Sequence, residues 1–104
     1  MHEYRARVDR VVDGDTVDFI VDLGFHIEIK IRGRLDGVDT PERGHPDWNL
    51  ATAKCEQLLA EAEFGEGFYQ KYITIQTEKT GKYGRWIVKI PGVTDRLAER
   101  WPYE

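Results

Sequence analysis

The stretch "FHIEIKIRGRL", Phe25 to Leu35, decides the fold. Phe25, Ile27, Ile29 and Ile31 alternate with His26, Glu28, Lys30 and Arg32. Successive side chains of a strand leave on opposite faces, so this period of two predicts a strand with its isoleucines on the core side. Just upstream, "TVDFIVDL" puts Val17, Phe19, Val21 and Leu23 on one face in the same way. Gly24 and its neighbours are all that separates the two runs, which predicts a tight hairpin. A weaker alternation through Tyr4, Ala6 and Val8 in "YRARVDRVV" predicts a strand before them. Gly14, between Asp13 and Asp15, marks the turn that joins it to the hairpin.

Downstream the period changes. Ala51, Cys55, Leu58, Leu59 and Ala62 form an apolar stripe at helical spacing, predicting a helix from about Leu50 to Phe64. Asp47 or Asn49 is placed to cap it, and Gly65 and Gly67 to end it. Two further strands follow, "YITIQT" and "RWIVKI", joined by the basic turn "EKTGKYG". "TDRLAERW" closes the pattern as a short helix. The order of three strands, a helix, two strands and a short helix predicts an α+β, mainly β, fold. It suits a five-stranded Greek-key barrel of the OB type, with one helix after strand 3 and a short C-terminal helix. The 104 residues suffice for a single domain, 1–104, with one modest core.

Composition narrows the classes of function. No apolar run approaches the roughly 20 residues that span a bilayer, so no membrane partner is expected. The start, "MHEYRARVDR", has no apolar signal region, and a cytoplasmic protein is expected. Cys55 is the lone cysteine, which excludes an intrachain disulfide and argues against a zinc-thiolate cage. On the apolar stripe of the helix it reads as a core residue. The net charge of −4 opposes indiscriminate phosphate binding. Its distribution is uneven, however: Tyr69 to Ile90 carries Lys71, Lys79, Lys82, Arg85 and Lys89 against one acid, Glu78. Lys30, Arg32 and Lys89 read as a solvated face, and the three histidines as structural or surface groups.

The acids of two turns carry the chemistry. Asp15 lies in "VVDGDTV" and Asp39 and Glu42 in "GVDTPERGHP". Each alone reads as a solvated turn residue. The hairpin between them brings its own ends together, and gathered carboxylates suit a hard cation such as Ca²⁺ or Mg²⁺. Arg34 closes the alternating strand just before the second acidic loop, and Arg85 opens a later strand. A guanidinium is a permanently charged fork matched to phosphate oxygens. Taken singly, either arginine reads as a rim residue in a salt bridge. Together with a cation and with Glu42 as a base for water, they complete a set that can cleave a phosphodiester.

In order and approximate spacing, "VVDGDTV", "RLDGVDTPE" and "KYGRW" resemble the staphylococcal nuclease-like (thermonuclease) family, from about Tyr4 to Leu97. The resemblance implies an OB barrel and a calcium-dependent nuclease acting on DNA and RNA. It implies that Asp15 and Asp39 bind Ca²⁺ through their side chains and Thr40 through its backbone carbonyl. It implies Glu42 as general base, Arg34 and Arg85 on the scissile phosphate, and Lys82 and Tyr83 on a second phosphate. It also implies 3′-phosphate products. The chain departs from the family's longer members in its acidic charge and its short C-terminal region. A monomer is expected, with a dimer as the alternative. A non-catalytic OB module that binds nucleic acid or a protein partner is the second reading of the same sequence.

Overall fold

The structure, a computed structural model, describes residues 2–63, 72–80 and 85–102. Strands β1 (His2–Asp13), β2 (Thr16–Asp22) and β3 (Glu28–Leu35) come first, then helix α1 (Trp48–Ala62). Strands β4 (Ile73–Thr80) and β5 (Trp86–Lys89) and helix α2 (Thr94–Arg100) follow. The strands close a barrel in the order β1-β2-β3-β5-β4, with β1 against β4 completing the ring. All pairs are antiparallel except β3 with β5. The expected mainly β, five-stranded OB-type barrel, with its helix after β3 and its short last helix, is what the chain forms. Among the described residues, no helix is long and apolar enough to cross a membrane.

The weak alternation of β1 has a local cause. Its register with β2 slips between Val8 and Arg10 and again between Val11 and Asp13. Each bulge inserts a residue and moves the inward face by one, so Ala6, Val8 and Val11 can all turn towards the core. In β2, Val17, Phe19 and Val21 are buried as their spacing predicts. Leu35, Val38, Ile73, Ile75, Val88, Ile90 and Leu97 complete the barrel core. Helix α1 covers the barrel with Ala51, Cys55, Leu58 and Leu59.

Two expectations are corrected. The alternating isoleucines of the β2–β3 hairpin do not all face the core. Phe25 is 94% exposed, Ile27 53% and Ile29 43%, and Leu23 at the end of β2 is 42% exposed. On its second side β3 meets β5 only at Gly33–Leu35. Only that lower part of the strand is enclosed, and Gly33 and Leu35 are buried there. Phe25 does not lie in the strand at all. It shares the turn with His26, and both adopt left-handed backbone, φ 54° and 61°. The second correction concerns α1, which starts at Trp48 and stops at Ala62. Asp47 occupies the N-cap position without a side-chain cap. Glu63, in extended backbone, ends the helix and donates its N–H to Leu59 O. Gly65 and Gly67 lie outside the described residues.

Candidate functional site

The site forms at the end of the hairpin opposite its turn. The Asp13–Gly14–Asp15 turn is held from three directions. Asp13 Oδ1 accepts a 2.7 Å hydrogen bond from Trp48 Nε1, which ties the turn to the start of α1. Gly14 packs so closely that a β-carbon there would come within 2.8 Å of Thr40 Cγ2 and 3.0 Å of Ala51 Cβ. Glycine is therefore required by space. Asp15 is buried; its Oδ2 accepts the Thr40 N–H at 3.2 Å and its Oδ1 accepts the Thr16 hydroxyl at 3.0 Å.

Arg34 links this turn to the second acidic loop. Thr16 pairs with Arg34 across β2 and β3, so the guanidinium rises beside Asp15. Its Nη2 lies 3.6 Å from Asp15 Oδ2 and 3.7 Å from Asp39 Oδ1, and donates to Val38 O at 3.1 Å. One guanidinium thus serves two carboxylates from turns far apart in sequence. The Asp39 loop is fixed from the chain's other end. Asp39 N–H donates to Trp101 O at 2.9 Å, and Val38 bridges to Pro102. Asp39's own side chain remains 59% exposed.

The expected site residues divide as follows. Asp15, Arg34, Asp39 and Thr40 come together. Thr40 is buried, and its hydroxyl has no hydrogen-bond partner among the described residues. Arg85, half-buried, precedes β5. Arg34 is in register with Ile87, two residues after Arg85. Glu42 stands exposed, and its backbone carbonyl accepts the His45 N–H. Among the described residues no three Asp, Glu, His or Cys side chains are gathered as for a metal ion. The carboxylates of Asp15 and Asp39 are hard oxygen donors. They fit a Ca²⁺-type ion as two anchors, leaving further positions for carbonyls, water or substrate. Lys82 and Tyr83 lie outside the described residues.

Two pairings escape a reading of the sequence. Trp48 anchors Asp13, and Arg43 lies over its ring at 5.1 Å. Trp101 supplies the carbonyl that holds Asp39. Neither has a local signal, since the partners are remote along the chain. Cys55 is the buried core thiol expected. Burial, with the nearby charge of Asp15 adding, pushes its pKa up to about 12.

The architecture and site define a closed five-stranded barrel with two acidic turns gathered on one arginine. Over 100 residues the chain is 30% identical to Protein ParB of Escherichia coli, an alignment covering 96% of this chain and 48% of ParB. The chain therefore spans about half the length of that curated relative. No family model matches it.

Proposed function

We propose that this protein is a divalent-cation-dependent nuclease, with Ca²⁺ as the ion and DNA or RNA as the substrate. The observation that carries the reading is the convergence of Asp15 and Asp39 on the Arg34 guanidinium. Acids brought together from separate turns cost repulsion, which a positive group or ion between them offsets. Asp15, Asp39 and the Thr40 carbonyl would hold the cation. When bound, that ion supplies Lewis acidity towards a phosphoryl oxygen.

The chain's own groups do the rest. Arg34, a fork already placed beside the acids, would pair a phosphate oxygen, and Arg85, just before the strand paired with β3, would pair another. Glu42, exposed, would take the proton of the attacking water. The water oxygen bonds to phosphorus as the bond from phosphorus to the 5′-oxygen breaks; that oxygen takes up a proton from solvent and leaves as a hydroxyl, and a 3′-phosphate remains. The resemblance of the three motifs to the staphylococcal nuclease-like family supports this assignment of roles. Lys82 and Tyr83 would contact a second phosphate.

One observation favours a second reading, a non-catalytic barrel that binds nucleic acid or protein. The Glu42 carboxylate does not join the two aspartates. The two readings part in one experiment, in which plasmid and single-stranded DNA are incubated with the protein and Ca²⁺. A chelator control and a Glu42→Ala variant accompany it. The nuclease reading expects degradation that the chelator abolishes and the variant slows by about 10²–10⁴-fold. Degradation indifferent to both would refute it. Binding without degradation would establish the module.

A further inference from the structure

The outer wall of β1–β3 is charged against the sign of the whole protein. The chain carries −4. Two adjacent cross-strand rows beside the site read Arg32–Asp18–Arg10 and Lys30–Ile20–Arg7, four cations to one acid. The next row towards the hairpin turn, Glu28–Asp22–Arg5, reverses the sign.

Arg34, Arg32 and Lys30 are alternate residues of one strand and leave on one face, at steps of about 6.7 Å. That is the order of the step between phosphates along an extended single strand. Arg32 grips Asp18 through Nε at 2.8 Å and Nη2 at 3.1 Å, and Arg10 reaches the same carboxylate at 3.9 Å. One acid therefore orients two guanidiniums and neutralises one, which leaves that row positive. Lys30 is exposed. Arg7 is held by Glu28 at 2.9 Å. Pairs at such an exposed surface are weak enough to exchange for a phosphate.

We propose that the β3 ladder Arg34–Arg32–Lys30 is a phosphate track that holds single-stranded nucleic acid on one side of the candidate site. It rests on, and deepens, the nuclease reading by assigning the substrate a form and a footprint. Binding of this kind follows the backbone and needs no base readout. The track ends where Glu28 and Asp22 turn the wall negative, so the footprint is short. Duplex DNA spaces its charges differently and on two strands, and it gains less from one straight ladder.

The test measures hydrolysis of oligothymidylates from two to ten nucleotides with Ca²⁺, alongside anisotropy of fluorescein-labelled ten-mer. Wild type is compared with Lys30→Ala, Arg32→Ala and Lys30→Glu. KM should fall with length and level off at about four nucleotides, whose three phosphates are the cleaved one on Arg34 and one each on Arg32 and Lys30. The variants should weaken the ten-mer severalfold and leave the dinucleotide unchanged. They should also lower the slope of log affinity against log salt by about 0.7 for each phosphate no longer neutralised. A ten-base-pair duplex should respond less than the single strand.

Length-independent KM, or variants that affect dinucleotide and ten-mer alike, would overturn the track. So would an equal or larger effect on the duplex. If wild type cleaves nothing, the nuclease reading fails alone. The anisotropy of the ten-mer still decides the track, because a variant that binds as wild type does refutes it.

Discussion

The two ends of the β2–β3 hairpin share one alternating pattern and meet opposite fates. At the site end, Gly33 is buried so tightly that a β-carbon would lie 2.7 Å from Val88 Cγ2 and 2.9 Å from Phe19 Cε2. At the turn, Phe25, on the same alternation, projects almost wholly into solvent from left-handed backbone. The difference is the second neighbour. Where β5 lies against β3 the wall closes, and Gly33, Leu35 and Val88 are buried. Beyond it, β3 has no strand on its second side among the described residues, and the hairpin is held by its own ladder, by β1 along β2, by the Arg7–Glu28 pair and by the turn bonds Leu23 N–H to Ile27 O and Ile27 N–H to Gly24 O. The acids and Arg34 sit at the closed end, where packing can hold a charge geometry that a free hairpin could not.

The largest effect should come from adding one methyl at the closed end. Gly33→Ala forces the strand away from Phe19 and Val88 and should destabilise the protein by about 1–3 kcal/mol. Ile29→Ala, at the open end of the same strand face, should cost far less. Urea denaturation of both variants checks the contrast, and equal losses would abolish it.

Trp48→Phe comes next. It keeps a ring under Arg43 and removes the donor that holds Asp13, at a cost of about 1–2 kcal/mol. The same variant should weaken cation binding measured by calorimetry, because the Asp13–Asp15 turn loses one of its three anchors. Unchanged stability would show that Gly14 and Thr40 suffice to fix the turn.

At the open end the sign should reverse. Phe25→Gly relieves a left-handed residue that packs on little, and should stabilise the fold by up to about 1 kcal/mol, partly offset by the greater freedom of glycine in the unfolded chain. A loss of stability would mean that the phenyl ring contributes to the fold.

This contrast also explains what the sequence can and cannot tell. The number, order and type of elements are legible because hydrophobic period and turn residues are local. The identities of Asp15, Asp39 and Arg34 are legible because strand pairing brings hairpin ends together. The exposure of Ile27 and Ile29 is not, since alternation states which face a residue takes and not whether that face is roofed. Trp48 on Asp13 and Trp101 on Asp39 depend on where α1 and α2 dock, a tertiary outcome without a local signal. The helix end at Ala62 is hidden because the glycines further on carry the stronger stop signal.

The smallest effect concerns the wall between the two ends, and it has a pH signature. Asp18 accepts two hydrogen bonds from Arg32, which hold its pKa below the usual carboxylate value despite partial burial. The folded state therefore favours the charged form more than the unfolded chain does. The resulting stability is present above the unfolded value, about pH 3.9, and is lost as pH falls through the lower folded value. Exposed pairs of this kind contribute about 0.2–1 kcal/mol. Asp18→Asn should therefore lower stability by that amount at pH 7 and by progressively less below pH 4, in urea titrations at fixed ionic strength. It also frees Arg10 and Arg32 from their shared acid. If the wall is a phosphate track, the variant should bind a labelled single strand more tightly while folding less stably. Parallel losses of both would assign Asp18 to orienting the guanidiniums and not merely to neutralising them.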